Sequence, residues 1–201
     1  DTTESRGLGD VYKRQDGRPS GKQIALWVID SLHKKGVNVD NCGLATTPTM
    51  QIMTEKENYD GGIVITASHN PSEYNGLKFL QNDGTFLSPE QCEELFKAVD
   101  QNISVENSEP LGVVSDYSTA NKEHIHKVLS AKCIDVESVI QKKFTVVIDA
   151  VNGAGSYILP TLCEQLGCKV ITMNCNGDGN FTRIPEPCLL YTSPSPRDSV
   201  V

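Results

Sequence analysis

Two short apolar runs, each bounded by turn residues, constrain the fold more than any other feature of the chain. They are residues 62–66 (GIVIT) and 144–150 (FTVVIDA). Runs of this length without polar alternation are typical of strands buried in a parallel sheet. Helix patterns with capping and turn signals separate the candidate strands along the chain. The alternation predicts an α/β fold with a mixed, largely parallel sheet sandwiched by helices.

The same signals predict the remaining elements. The first helix is expected over residues 20–36, capped by Ser20, with an apolar stripe of Ile24, Trp27, Val28 and Leu32. Residues 100–115 are polar and irregular, which indicates a surface loop, and residues 117–139 are mostly helical in pattern. Because the strand and helix pattern restarts at the second apolar run, we expect a first domain over residues 16–141. The truncated start of a second, similar domain is expected over residues 142–187.

The two ends of the chain are related to each other. Residues 4–15 (ESRGLGDVYKRQ) and 188–199 (CLLYTSPSPRDS) can be encoded by one piece of DNA, read on opposite strands with a one-base shift of frame. They also resemble an adapter used in sequencing libraries. We therefore interpret residues 1–15 and 188–201 as non-native scars that flank an internal fragment, and expect both to lack packed structure.

Composition disfavours several classes of function. The formal net charge is −8, and the charges of the two predicted scars cancel. An acidic balance disfavours a nucleic acid or an anionic membrane as partner, and no apolar run is long enough to span a membrane. The cysteines are scattered without a C-x-x-C pair, which is typical of reduced thiols in a cytoplasmic protein. Nothing in the sequence sets the oligomeric state.

The polar loop at residues 66–71 (TASHNP) is the candidate for chemistry. It follows a predicted buried strand, and ligands of α/β sheets bind at the carboxyl ends of strands. Its Asn-Pro pair restricts the backbone and would present the Ser68 hydroxyl in one direction. A serine hydroxyl needs a base or a cation nearby, and His69 and Lys78 are close in sequence. Most loop serines only cap a turn, however, and a lone strand lysine is usually solvated, so both interpretations stay open.

Five segments resemble the α-D-phosphohexomutases, the family of phosphoglucomutase, phosphomannomutase and phosphoglucosamine mutase. TASHNP followed by YNGLKF is similar to the active-site signature of that family. The other four segments occur in the family's order, at residues 16–21 (DGRPSG), 43–48 (GLATTP), 149–155 (DAVNGAG) and 177–187 (GDGNFTRIPEP). The resemblance therefore extends over nearly all of residues 16–187.

This resemblance implies an intramolecular phosphotransferase that interconverts hexose or hexosamine 6-phosphate and 1-phosphate through a phosphoserine and a sugar bisphosphate. It assigns Ser68 as the phosphoserine, with its phosphate as one ligand of a Mg²⁺ cofactor. It assigns Lys78 as general acid/base, and His69 as a catalytic residue that contacts phosphate or substrate. Asn70 is assigned to phosphate or substrate binding, and Arg18 to holding the loop or its phosphate.

The chain departs from the family in lacking the D-G-D-x-D-R loop that supplies the metal carboxylates. We therefore expect the chain as written not to turn over phosphosugars, although Ser68 would still accept a phosphoryl group from a sugar bisphosphate. The forms TASHNP, NGLKFL and FTRIPEP favour phosphoglucosamine mutase, with phosphomannomutase and phosphoglucomutase as alternatives. Two interpretations from other classes stay open: a serine hydrolase with a Ser68–His69 dyad, and a non-catalytic module that binds sugar phosphates.

Overall fold

The computed structural model of the protein describes residues 10–15, 17–57 and 59–183. Within these residues the strands form two sheets. The first sheet has five strands in the spatial order β4 (Leu77–Gln81), β3 (Gly61–Ile65), β1 (Asp10–Gln15), β2 (Asn38–Leu44) and β5 (Val114–Asp116). Only β4 runs antiparallel to its neighbour in this sheet. The second sheet pairs β6 (Thr145–Asp149) with β7 (Lys169–Met173) in parallel, so the predicted α/β fold with a largely parallel sheet is confirmed.

Six helices connect these strands. They are α1 (Pro19–Lys34), α2 (Thr47–Lys56), α3 (Pro89–Asp100), α4 (Ala120–Leu129), α5 (Val136–Lys142) and α6 (Gly155–Gln165). The chain passes from β1 through α1 to β2, and then back through α2 to β3 on the other side of β1. Because parallel crossovers are right-handed, α1 and α2 lie on opposite faces of the sheet. The carboxyl ends of β1, β2 and β3 therefore meet at one edge.

The largest core lies between the first sheet and α2, where α4 closes it. Met50, Met53 and Val64 are fully buried there, and Leu80 packs beside them. Fully burying an aliphatic side chain stabilises the folded state by about 1.5–3 kcal/mol. This core therefore fixes the position of β3 and of the loop that follows it.

Two helices begin where the sequence places their caps. Thr46 caps α2 by accepting a hydrogen bond from the Thr49 amide, and Pro48 lies in the first turn. Ser88 and Gln91 form the predicted capping box of α3, with both reciprocal hydrogen bonds present. The predicted cap of α1 is wrong, because Arg18 occupies the N-cap position and the helix begins before Ser20.

The expected lack of structure at residues 1–15 is wrong for Asp10–Gln15, which forms the central strand β1. Its backbone pairs with β2 on one side and β3 on the other. The segment contains Val11 and Tyr12, two adjacent residues of types that favour β-strands. Residues 1–9 and 184–201, which include the second predicted scar, lie outside the described residues.

Three further expectations need correction. The face of α1 toward the sheet carries Gly21 and Ala25, one turn apart, whereas Trp27 of the predicted stripe is 64% exposed. Small residues let the helix approach the strands closely, and this face is rotated away from Trp27. The predicted loop at 100–115 ends in the short strand β5, which its polar composition hides. The predicted helix at 117–139 is split, because Asp135 caps α5 by accepting from the Ser138 amide at 3.0 Å.

No helix within the described residues is long and apolar enough to cross a membrane.

Candidate active site

Ser68 lies in a tight loop that directly follows β3. Its backbone is left-handed, with φ of +57°, a conformation that costs a non-glycine residue roughly 1 kcal/mol or more. The Thr66 hydroxyl accepts a hydrogen bond from the Ser68 amide at 3.0 Å. The Asn70 amide donates to the Ala67 carbonyl at 3.1 Å and closes the turn. Ser68, His69 and Asn70 are all exposed, so the predicted nucleophile is accessible.

Arg18 holds this loop by donating hydrogen bonds to four of its backbone carbonyls. One terminal nitrogen, Nη1, donates to the carbonyls of Pro71 at 2.5 Å and Tyr74 at 2.9 Å. The other, Nη2, donates to the carbonyls of Ser68 at 2.8 Å and Asn70 at 2.9 Å. Arg18 is only 1% exposed, and a buried charge is tolerated only when it is well hydrogen-bonded. The planar fork of donors that arginine carries suits this cage of oxygens.

The cage also fixes the direction of a neighbouring amide. In a planar trans peptide the N–H points opposite to the C=O. Because the Ser68 carbonyl points at Arg18, the N–H of His69 points away from the arginine. Outward-directed amides in a tight turn form an anion-binding concavity. The carbonyl oxygens of the loop therefore face Arg18, and the His69 N–H, a hydrogen-bond donor, faces the opposite side.

The first turn of α1 and the start of β4 also hold the loop. The Asn75 side-chain amide donates to the Ser20 hydroxyl at 3.1 Å, and the Asn75 side-chain oxygen accepts from the Gly76 amide at 2.9 Å. The Thr66 amide donates to the Gly76 carbonyl at 2.9 Å and joins the two ends of the loop. Sequence reasoning assigned Ser20 only to the cap of α1 and assigned no role to Asn75. Both lie in the segments that carry the family resemblance, which was the available signal.

The other two candidate catalytic residues stand differently toward Ser68. His69 Nδ1 lies 3.5 Å from Ser68 Oγ. Lys78 lies in β4 opposite Val64, and its ammonium is 5.7 Å from the centroid of the Phe86 ring. No hydrogen bond within the described residues joins Lys78 to Ser68. The structure thus brings Arg18, Ser68, His69 and Asn70 together, whereas the place of Lys78 in the same cleft stays a prediction.

The segment that follows β7 also reaches this site, which sequence reasoning missed. The ring of Phe181 lies against the Arg18 guanidinium, with 5.1 Å between Arg18 Cζ and the ring centroid. The backbones of Gly17 and Gly179 are in direct contact, since a Cβ placed on Gly179 would lie 1.9 Å from the Gly17 carbonyl oxygen. Both glycines have positive φ. Only glycine fits this crossing of two chain segments.

A Mg²⁺ site does not follow from the described residues alone. Among them, no group of three His, Cys, Asp or Glu side chains is arranged to hold a metal ion. Mg²⁺ prefers carboxylate and phosphate oxygens in octahedral geometry, and an unmodified Ser68 hydroxyl offers neither. The described residues therefore do not fit the ion by themselves.

Two family descriptions match most of the chain. Residues 8–106 match "Phosphoglucomutase/phosphomannomutase, alpha/beta/alpha domain I", and residues 122–193 match "alpha/beta/alpha domain II" of the same family. The chain belongs to the phosphoglucomutase/phosphomannomutase family. The matched ranges begin earlier than residues 16 and 142, where the sequence analysis set the two domains, and those boundaries stay a prediction.

Individual members of the phosphoglucomutase/phosphomannomutase family are similar over nearly the whole chain. A "Phosphoglucomutase/phosphomannomutase" of Thermococcus kodakarensis is 39% identical over 92% of this chain and 40% of its own length. A "Phosphoglucosamine mutase" of Methanococcus vannielii is 38% identical over 86% of this chain and 37% of its own length. A solved structure of a family protein from Burkholderia thailandensis covers 92% of this chain and 41% of its own with a TM-score of 0.71 at 24% identity. The chain thus spans about two fifths of the curated relatives that it matches.

Proposed function

We propose that the complete protein is a phosphohexomutase that interconverts hexose or hexosamine 6-phosphate and 1-phosphate. The observation that carries this proposal is an exposed serine hydroxyl in a left-handed turn, held by a buried arginine, in a chain of this family. A turn that is strained and yet fixed by several hydrogen bonds is typical of functional loops. The enzyme is proposed to act in the cytoplasm on phosphosugars and sugar bisphosphates.

In the proposed reaction, phosphorylated Ser68 gives its phosphoryl group to the free hydroxyl of the sugar phosphate. The bond from phosphorus to Ser68 Oγ breaks and a bond to the sugar oxygen forms. Lys78 takes the proton of the accepting hydroxyl. The bisphosphate then reorients, and its other phosphoryl group returns to Ser68. Such transfers need position and charge more than covalent help, so Arg18 contributes by fixing the loop, while His69 and Asn70 contact phosphate or substrate.

Among substrates we favour glucosamine phosphate. Relatives from Methanococcus vannielii and Methanococcus maripaludis carry the name phosphoglucosamine mutase, and the loop form TASHNP agrees with that choice. The alternatives are mannose and glucose phosphates, in keeping with the name of the relative from Thermococcus kodakarensis. In the complete protein, kcat/KM for the three 6-phosphates decides between them. A higher value for glucose or mannose 6-phosphate would overturn our choice.

Mg²⁺ is the proposed cofactor of the complete enzyme, since the family depends on it in general. Its chemistry would be to neutralise charge on the transferring phosphoryl group. Of the described residues, only Ser68 would contribute to its binding, through the phosphate once attached. A phosphoserine carries about −1.5 to −2 charge at neutral pH, and this chain already has a formal charge of −8. Without further cations the chain alone is predicted to be inactive as a mutase.

Transfer to Ser68 can be tested on the chain itself. Incubation with glucosamine 1,6-bisphosphate and Mg²⁺ should add one phosphoryl group, which peptide mass spectrometry should locate at Ser68. Ser68→Ala should remove the modification. Ser72→Ala is the matched control, because Ser72 is an exposed serine of the same loop, and it should leave the modification in place. Labelling that persists in Ser68→Ala would contradict the proposal.

One contact bears on the rival serine hydrolase. Ser68 Oγ and His69 Nδ1 lie 3.5 Å apart, which is longer than the usual 2.6–3.2 Å between a nucleophile and its base. A nucleophile elbow of the form G-x-S-x-G is also missing from this loop. Covalent labelling of Ser68 by a fluorophosphonate would favour the hydrolase. A non-catalytic binding module would instead bind sugar phosphate without becoming phosphorylated.

A further inference from the structure

We propose that Phe181 is a positioning residue for the Ser68 loop and acts through Arg18. The two side chains come from segments next to different sheets. Arg18 directly precedes α1, which packs on the first sheet, and Phe181 follows β7 of the second sheet. The Phe181 ring lies 5.1 Å from Arg18 Cζ. For its catalytic consequence the inference rests on the proposed function, whereas its structural part does not.

The geometry explains why the ring matters to the loop. Four hydrogen bonds join Arg18 to carbonyls of residues 68–74, and Arg18 is nearly completely buried. A cation over an aromatic face is attracted by the ring's quadrupole, most strongly where water is excluded. Phe181 therefore favours the position of the guanidinium in which its fork of donors meets the four carbonyls. The left-handed backbone of Ser68 depends on the same bonds.

The segment that carries Phe181 is itself fixed. Asn152 is 5% exposed, and its side-chain amide donates to the Asn180 carbonyl at 2.9 Å. Its side-chain oxygen accepts from the Asn176 amide at 3.0 Å, and its carbonyl accepts from the Gly179 amide at 2.9 Å. A buried asparagine that binds both strands of a turn holds that turn in one conformation. The ring is thus delivered to Arg18 by an ordered support.

A continuous set of contacts therefore joins the second sheet to the proposed phosphoserine. It runs from Asn152 to the turn at residues 176–180, from there to Phe181 and Gly17, and through Arg18 to the Ser68 loop. The turn of the second domain would then set how the nucleophile is presented. On this view the D-G-x-F segment supports the active site through its contacts with Gly17 and Arg18.

Amide hydrogen exchange of the full chain tests the inference. Two loop amides report on the conformation, those of Asn70 and Tyr74, which donate to Ala67 and Pro71 carbonyls. Phe181→Leu keeps apolar bulk and removes the ring, and should speed exchange in residues 67–76 by about fivefold to thirtyfold. Phe181→Tyr keeps the ring and should restore the wild-type rate. Phe96→Leu is the matched control, because Phe96 is 64% exposed on α3 and should change nothing in the loop.

Exchange in β7 is measured in the same experiment to separate a positioning role from a structural one. The inference requires that protection in β7 stays unchanged while protection in the loop falls. Loss in both regions, an unchanged loop in Phe181→Leu, or a loop that exchanges as fast in Phe181→Tyr would each overturn it.

Transfer to Ser68 from glucosamine 1,6-bisphosphate is followed in parallel. If the proposed function holds, Phe181→Leu should slow the transfer by a factor similar to the change in exchange. If Phe181→Leu shows the exchange effect but the wild-type chain never becomes phosphorylated, the proposed phosphoserine role of Ser68 would be refuted and the positioning inference would stay supported.

Discussion

The turn after β3 and the turn after β6 each hold one residue in a left-handed conformation, but different contacts hold the two turns. Ser68 has a φ of +57° and Asn152 a φ of +58°, and each residue follows the carboxyl end of a strand. Asn152 is buried and anchors its turn with its own side chain. Ser68 must leave its hydroxyl exposed, and so its loop is anchored by Arg18 from another element. A loop that presents a nucleophile needs its anchor elsewhere, and here that anchor is a buried cation.

The two sheets also differ in what stabilises them. The first sheet buries Val39, Val64 and Ile65 completely or nearly so. The second sheet leaves Val147, Ile171 and Met173 about half exposed, and Ile148 is its only strand residue that is buried among those described. We infer that apolar burial dominates the stability of the first sheet, and that the polar contacts of Asn152 and Asp149 matter relatively more in the second.

The largest expected effect tests this difference with one substitution made in both sheets. Ile65→Ala should lower the free energy of unfolding by about 3–4 kcal/mol, because it empties a fully buried site. Ile171→Ala, at a residue 45% exposed, should cost less than about 1 kcal/mol. Urea unfolding followed by circular dichroism, with amide exchange in β3 and β7, measures both. Equal losses of unfolding free energy at Ile65 and Ile171 would contradict the inferred difference between the two sheets.

Next in size is the loss of an arginine fork in each region. Arg18→Lys should destabilise the protein by about 2–3 kcal/mol, since one ammonium cannot satisfy four carbonyls in the same geometry. Phosphoryl transfer to Ser68 should slow with it. Arg183→Lys is the counterpart in the second region, where Arg183 forms an exposed ion pair with Asp149 at 2.7 Å. That change should cost about 1 kcal/mol or less.

Denaturant titrations of these two variants give the free energies, and peptide mass spectrometry gives the rate of phosphorylation. A stability loss in Arg18→Lys no larger than that in Arg183→Lys would mean that the cage of carbonyls contributes little.

A smaller effect is expected from the asparagines of the two turns. Asn152→Ala removes two hydrogen bonds from a buried side chain and should cost about 2 kcal/mol. Asn70→Ala removes one exposed hydrogen bond to the Ala67 carbonyl and should cost about 0.5 kcal/mol or less. Amide exchange in β7 and in the Ser68 loop should show each loss in its own region. Comparable losses of unfolding free energy in the two variants would contradict the inference that only the turn after β6 is held mainly by its own asparagine side chain.

Local patterns in the sequence predicted the elements that local forces decide. The apolar runs became β3 and β6, the first-turn proline marks the start of α2, and one capping box marks the start of α3. The serine loop was also placed correctly after its strand. Strand β5 escaped notice because it has only three residues, all exposed, so no apolar period marks it.

Long-range contacts could not be predicted in this way. The bonds of Arg18 join residues 50 to 56 positions apart, and nothing near Arg18 in sequence indicates that its partners are carbonyls rather than a phosphate. Phe181 is further away still. The interpretation of residues 1–15 as a scar excludes strand β1, although Val11 and Tyr12 are of types that favour strands.

The smallest expected effect concerns stability in acid. It depends on the contact of α4 with α2 and not on the turn at Ser68. Glu123 accepts hydrogen bonds from Lys56 at 2.7 Å, from Thr119 at 2.6 Å and from Tyr117 at 2.8 Å. The Lys56 ammonium and the two hydroxyls lower the pKa of Glu123 from 4.5 to about 2. A carboxyl whose pKa is lower in the folded state contributes stability above the unfolded value and loses it on acidification. This contribution should therefore be complete above about pH 5 and fade between pH 4.5 and 2.

Glu123→Gln tests this pH dependence. Because Lys56 is half exposed, solvent screening reduces the expected effect to about 1 kcal/mol at pH 7. The difference between wild type and variant should shrink as the pH falls to 3, where the unfolded chain already binds the proton that the folded carboxyl resists. Glu94→Gln, on the surface of α3, is the control and should shift stability equally little at both pH values. A difference for Glu123→Gln that stays constant from pH 7 to pH 3 would show that its hydrogen bonds, and not its charge, stabilise the contact of α4 with α2.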